Sequence, residues 1–329
     1  LSKIEKNMLR ERALRLPEVT EEMWNKVDAE HRDLLSEYLD SNSFRPKSRK
    51  QYTSSLRQFF WWVHNSLNDK PLYEISKRDF LRYISFLKNR NMSSSAIGLK
   101  KATVSSLCNY IENIVADDDK RFEKFRNFTR GLPSIPKTQT YQKKEITVDE
   151  YELMMSTLEK DKNYLGMAWL ATAFNVGARK AELIQIKTSA IYQDANGKNY
   201  VKSNLITAKG KGEGKKVNYY LNLEAIKYMK QWVEVRGYEH EYVFTTMYGG
   251  EPKQMSESWA SYFCDEVLSD IVGRRINAHS FKSSLVTRLL SSGMKPEIVS
   301  KKFAQHESLE TTAIYDLRDF EDELDDLDW

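Results

Sequence analysis

The sequence predicts a mainly α protein with a small β-sheet, divided into a helical N-terminal unit and an α/β C-terminal unit. Three observations carry this. Apolar residues recur at helical spacing behind capping residues through most of the first 130 positions and again after residue 147. Residues 189–221 instead show brief alternating runs around a glycine-rich turn. Between these regions, residues 131–146 are rich in lysine and proline and poor in apolar side chains, as a linker is.

At 329 residues the chain is long enough for two ordinary cores, and 40% hydrophobic with 30% charged residues is a globular balance. No apolar run is long enough to cross a bilayer, and no signal peptide is visible. Cys108 and Cys264 lie far apart and match no metal or redox spacing, so the expectation is a reducing cytoplasm and neither metal nor cofactor. The net charge is only +4, but Asp316 to Trp329 carries eight acidic residues against one basic residue. The rest of the chain is therefore more basic than the total suggests. A basic body with an acidic tail fits a polyanionic partner, although a merely solvated surface would show the same charge.

Taken in order, Ile4, Met8, Leu9, Leu14 and Leu16 form a weak apolar stripe before Pro17. It suits either an arm on another protomer or a helix on its own domain. Leu34, Leu35, Tyr38 and Leu39 share one helical face. Ser48 is a candidate cap for a helix that turns Tyr52, Leu56, Phe59, Phe60 and Val63 inward. Asp79 opens the next region, and Ser93 to Ser95 precedes another helix. The run Phe59-Phe60-Trp61-Trp62 offers either a stacking surface for bases or core packing, and this spacing favours core. Arg45, Lys47, Arg49, Lys50, Lys100 and Lys101 are the candidate phosphate contacts, because cations at helix starts position a nucleic-acid backbone without reading its sequence. Lys143 and Lys144 add to them from the linker, where Gly131 is a hinge or a turn.

In the second unit Thr147 and Glu150 form a capping box, and an apolar helix follows from Tyr164 to Phe174. Strands are expected at residues 200–203, 205–207 and 216–221, around Lys209-Gly210-Lys211-Gly212. That loop lacks the Gly-Lys-Ser/Thr ending of a nucleotide-binding loop. Leu223 to Val235 reads as a helix with Trp232 inward. Val243 to Thr245 reads as a short strand, and Trp259 to Val272 as a helix before Arg274 and Arg275, which with Lys211 join the candidate DNA contacts. From His279 the pattern is helix, stop at Gly293, a second helix from Pro296, His306 in a turn, and a short helix ending at Tyr315. Two imidazoles, a cation and a phenol suit phosphodiester chemistry: the cation neutralises phosphate, an imidazole moves a proton, and the phenol attacks.

Those residues resemble the tyrosine recombinase (phage integrase) family. Its pattern is His-x-x-Arg, a Gly-His or Gly-Trp turn, and Thr-Thr-x-x-Tyr. His279, His306, Thr311, Thr312 and Tyr315 match it in order and spacing. Gly177, Arg179, Glu182 and Leu183 match the earlier Gly-x-Arg-x-x-Glu-Leu motif, and Thr207-Ala208-Lys209-Gly210 matches the lysine hairpin apart from Ala208. Lys282 stands in place of the second arginine, and Gln305 in place of glycine.

The resemblance implies a helical core-binding domain with its arm over residues 1–130, a basic linker at 131–146, a catalytic-type domain at 147–318 and an acidic tail at 319–329. It implies double-stranded DNA held between two domains, with no nucleotide or membrane partner, in the cytoplasm of a bacterial host. It also implies that Arg179 holds the scissile phosphate and that Lys209, or next Lys211, donates a proton to the leaving oxygen. Tyr315 would form a 3′-phosphotyrosine, so neither metal nor ATP is required. Phe320, Leu324 and Leu327 give the tail one apolar face, which suits self-association on DNA. A lysine at 282 replaces a planar two-pronged donor with a point charge. The chain therefore also resembles the recombinase-fold master repressors of SPβ-type prophages. An impaired regulator is the favoured expectation, and an active integrase is the alternative.

Overall fold

The computed structural model describes residues 14, 16–136, 144–210, 214–306 and 308–318. The chain divides after Tyr141 into two compact units, inside the segment expected to be a linker. None of the described helices is long and apolar enough to cross a membrane.

The N-terminal unit is a helical bundle built from Ala29–Asp40, Pro46–Leu67, Lys77–Asn89 and Ser94–Tyr110, with a short helix, Glu21–Trp24, ahead of them. Its core is aromatic: Phe59, Phe60, Phe80 and Tyr83 are fully enclosed, and Trp62 is nearly so. The rings of the Phe59 run are therefore occupied by packing, and only Trp61 remains half-exposed, stacked on His64. Ser93, in the serine run that precedes its helix, caps it by accepting from the Ala96 amide. Two starts differ from expectation. The long helix begins at Pro46 rather than after Ser48, with Arg45 at the N-cap and no side-chain cap. Proline at the first helical position loses nothing, because that amide would have no partner in any case. Asp79 does not open its helix; Ser76 does, and Asp79 closes the capping box from the third position.

The C-terminal unit is organised around the helix Tyr164–Val176, whose residues from Gly166 to Phe174 are all buried. Helices Val148–Lys160, Leu223–Val235 and Ser280–Ser291 pack on it. Thr147 and Glu150 form the expected capping box. The strands make three two-stranded antiparallel pairs rather than one sheet. They are β1 (Tyr200–Lys202) with β4 (Tyr220–Asn222), β2 (Ile206–Ala208) with β3 (Lys215–Val217), and β5 (Thr245–Tyr248) with β6 (Glu251–Gln254). The first two pairs are separated by polar side chains: the Ser203 hydroxyl accepts from the Tyr219 amide, and the Asn218 side chain donates to the Ser203 carbonyl. Strand β6 escaped the sequence reading because Glu-Pro-Lys-Gln has no apolar alternation. Its turn is more telling, since Gly249 and Gly250 both have positive φ, as a two-residue type I′ hairpin requires.

Gly177 ends the central helix in the left-handed region, at φ +61°. A Cβ there would lie 2.5 Å from Leu285 Cδ2 and 3.0 Å from its Cβ. The glycine thus permits both the turn that presents Arg179 and the approach of the helix carrying Lys282. Gly177→Ala is expected to lower stability by about 1–3 kcal/mol in urea unfolding, from overpacking together with the left-handed penalty.

Candidate active site

Four short elements converge on one polar pocket. Arg179 is the N-cap of the helix Lys180–Leu183. Its guanidinium donates to Glu182 Oε1 at 2.8 Å and its backbone N–H to Oε2 at 2.7 Å. Glu182 is 1% exposed and also accepts from the Tyr219 hydroxyl at 2.7 Å. Burial works against the Glu182 charge. The hydrogen bonds from Tyr219 and the Arg179 amide, with the Arg179 charge, outweigh it and hold the carboxyl below its ordinary range. Glu182 therefore orients the arginine.

Lys282 lies on the first turn of Ser280–Ser291 and is 1% exposed. Its ammonium donates to the Ala304 carbonyl and sits 5.8 Å from the centre of the Tyr315 ring. Burial, and secondarily the nearby Arg179 charge, push its pKa down to about 7. His306 Nδ1 is 2.9 Å from Thr312 Oγ1, while Nε2 is buried without a hydrogen-bond partner among the described residues. Burial, then the charges of Lys282, Arg179 and His279, push its pKa down to about 4. The Tyr315 hydroxyl is 2.7 Å from His279 Nε2, and its ring centre is 4.7 Å from that of His306. With the imidazole proton on Nδ1, Nε2 accepts the phenol's hydrogen and is placed to take it as the oxygen attacks.

Arg179, His279, Lys282, His306 and Tyr315 are thus brought together. Gln305 does not displace His306: it takes the left-handed conformation itself, at φ 54°, which is the conformation glycine favours. The His306 amide still bonds the Ser300 carbonyl at 3.0 Å. Lys209 is exposed, just beyond β2 on its hairpin, and makes no hydrogen bond to the clustered residues.

The candidate phosphate contacts divide. Arg45, Lys47, Arg49 and Lys50 are exposed around the start of Pro46–Leu67, with Arg49 engaged by Asp40 at 2.6 Å. Lys101 is half-buried, and Lys144 and Arg275 are exposed. Lys100 is corrected: it is 8% exposed, with its ammonium on Gln58 Oε1 inside the bundle. Arg274 is also corrected, because it chelates Glu150 through two 2.6 Å bonds and donates to the Glu145 carbonyl. That pairing fastens the start of Val148–Lys160 and leaves little of the cation for a ligand. Lys143, Lys211 and the tail residues Phe320, Leu324 and Leu327 lie outside the described residues.

Sequence reading missed three supports. Tyr219 completes the Glu182 clamp. The Gln185 side chain accepts from the Thr207 amide and donates to its carbonyl, fixing the strand before Lys209. The Thr287 hydroxyl donates to the Tyr315 carbonyl and accepts from the Leu317 amide, holding the end of the nucleophile's helix. None of the three lies at a position that the quoted motifs mark.

Residues 144–321 match the family model described as "Phage integrase family". The chain belongs to the phage integrase family. It is 66% identical over 323 residues to the SPbeta prophage-derived recombinase-like protein YomM of Bacillus subtilis (strain 168), covering 97% of each chain. It is 22% identical to tyrosine recombinase XerC of Staphylococcus saprophyticus subsp. saprophyticus, over 83% of this chain and 86% of that one. The Tn1549 transposon integrase in complex with transposon right-end DNA superposes with a TM-score of 0.67 at 14% identity, covering 90% of this chain and 97% of that one. A lambda integrase dimer bound to a COC′ core site gives 0.64 at 17% identity, covering 86% and 76%. The tyrosine recombinase fold expected from the motifs is therefore the fold of this integrase-family chain.

Proposed function

We propose that this integrase-family chain is a sequence-specific double-stranded DNA-binding protein whose recombinase site holds a backbone phosphate but transfers strands poorly. It would act in a bacterial cell as a phage or prophage regulator that represses lytic genes. The observation that carries the reading is Lys282, a buried ammonium already donating to the Ala304 carbonyl where the family has an arginine. A point charge neutralises a phosphate, but it does not span two of its oxygens as a guanidinium does. Losing one such donor in the transition state typically costs about 10²–10³ in rate. DNA in the solved structures of the Tn1549 and lambda integrases supports duplex DNA as the ligand class. The acidic tail would stay off the duplex and serve self-association on it.

An active site-specific recombinase is the second reading. The 2.7 Å contact of the Tyr315 hydroxyl with His279 favours it, because the nucleophile and a proton acceptor are already paired.

Selection of duplexes from a random pool, followed by anisotropy titration at several salt concentrations, tests the binding reading. Lys47→Glu with Lys50→Glu is expected to weaken binding to all sequences. The slope of log affinity against log salt should become shallower by about 0.9 for each phosphate that the variant no longer neutralises. Affinity and slope that stay unchanged would remove the start of Pro46–Leu67 from the interface.

A further inference from the structure

We propose that a backbone phosphate enters this site together with a proton, carried by Lys282, so that DNA capture by this chain consumes a proton that an arginine at the same position would not require. The proposal rests on the reading of the chain as a DNA-binding protein and adds the chemistry of its phosphate contact.

The geometry comes first. Lys282 is 1% exposed, so its charge is withdrawn from bulk solvent. Among the described residues it has one hydrogen-bond acceptor, the neutral Ala304 carbonyl, and no carboxylate pairs with it. The groups that face it are unfavourable or occupied. Arg179 is a fixed positive charge, and Glu182, bonded to Arg179 and Tyr219, favours the ammonium only through its more distant charge. His306 is close enough to feel the ammonium's charge, and His279 lies beyond it, paired to Tyr315. Tyr315 presents its ring, with the centroid 5.8 Å away. A buried ammonium beside a guanidinium, with no carboxylate bonded to it among the described residues, gives up its proton readily: burial and Arg179 outweigh the opposing charge of Glu182 and bring Lys282 down to about 7. A phosphodiester monoanion between Lys282 and Arg179 reverses both causes. It supplies the missing counter-charge and screens the guanidinium, so the bound form holds the proton to higher pH.

The sign follows from linkage. Free Lys282 loses its proton as pH rises through about 7, while the phosphate-bound amine keeps it. Binding therefore takes up a proton above that value, and affinity falls with rising pH by up to about tenfold per unit until the bound form also titrates. Below that value Lys282 is charged in both states and contributes no slope. His306 is neutral at these pH values when free, so it adds uptake only where phosphate lifts it into range.

The experiment uses the full chain and a duplex that the protein itself selects from a random pool. Calorimetric titrations at about pH 8, in buffers of different ionisation enthalpy, give the number of protons taken up, and anisotropy from about pH 6.5 to about pH 9 gives the affinity profile. The proposal expects uptake close to one proton for the native sequence. Lys282→Arg should take up none and bind more tightly than the native chain at the alkaline end, by about tenfold or more. Lys282→Met, which keeps length without charge, should also take up none and bind less tightly at the acidic end; it stands in if the arginine variant does not fold. Binding with no proton uptake by the native chain overturns this inference and leaves the DNA-binding reading standing. Equal uptake by the native chain and either variant also overturns it, because another group then carries the proton. Failure to select any duplex at any pH overturns both.

Discussion

Glu182→Ala is expected to lower the stability of the C-terminal unit by about 3–5 kcal/mol, because it leaves a partly buried charge without its partner. Three hydrogen bonds end on this carboxylate, from the Arg179 guanidinium, the Arg179 amide and the Tyr219 hydroxyl. Removing it strands a phenol inside the core and frees the guanidinium that the site needs in one orientation. Glu182→Gln keeps the shape and part of the bonding, so its loss should be smaller. The sign with pH can be worked out. The carboxyl is held below its ordinary range in the folded chain, so its contribution is full above the unfolded value of about 4.3 and is lost as pH falls through the folded value. Urea unfolding at neutral and acidic pH checks both statements. The gap between native and Glu182→Ala should narrow on the acidic side, and a gap that stays constant would mean the carboxylate is not the stabilising form.

Lys282→Arg is expected to raise the rate of any tyrosine-dependent strand cleavage by about 10²–10³. Lysine's single ammonium is already directed to the Ala304 carbonyl, whereas a guanidinium could keep that contact with one nitrogen and present others to phosphate. Tyr315 is already on His279, and Gln305 already holds the turn that glycine would hold. Single-turnover cleavage of a selected duplex measures it. An unchanged rate would place the deficit elsewhere, for which Gln305→Gly is the next variant.

Much of this site was legible because its chemistry lies in short, ordered motifs. Arg179, His279, His306 and Tyr315 could be named because their motifs, taken together and in order, resemble those of the tyrosine recombinase family, and the structure brings them together. Helix starts were legible where a side chain performs the capping, as at Ser93 and Thr147, and were missed at Arg45, where proline does the work without a hydrogen bond. Surface cations were the hardest to read. Lys100 and Arg274 have the composition of phosphate contacts, yet one is buried on Gln58 and the other is pinned to Glu150. A charge in a sequence does not say whether an acid or an amide waits for it across the fold. Tyr219 was illegible for the same reason, since its partner Glu182 is brought to it only by folding. The state of Lys282 also required the fold: its motif position gave the substitution, but only its enclosure beside Arg179 shows how weakly it holds its proton.

The most direct test of the central claim measures binding and chemistry in the same sample. The native chain and Tyr315→Phe are incubated with a selected duplex nicked near the binding site, so that cleavage would trap a covalent protein–DNA adduct. Electrophoresis under native conditions reads the complex, and under denaturing conditions the adduct. The account predicts complex formation by both proteins, with affinities within about tenfold of each other because a phenol hydroxyl adds at most about 0.5–1.5 kcal/mol to binding, and at most a trace of adduct from the native chain. A prompt, tyrosine-dependent adduct from the native chain would contradict it and make this protein a working recombinase with lysine at position 282.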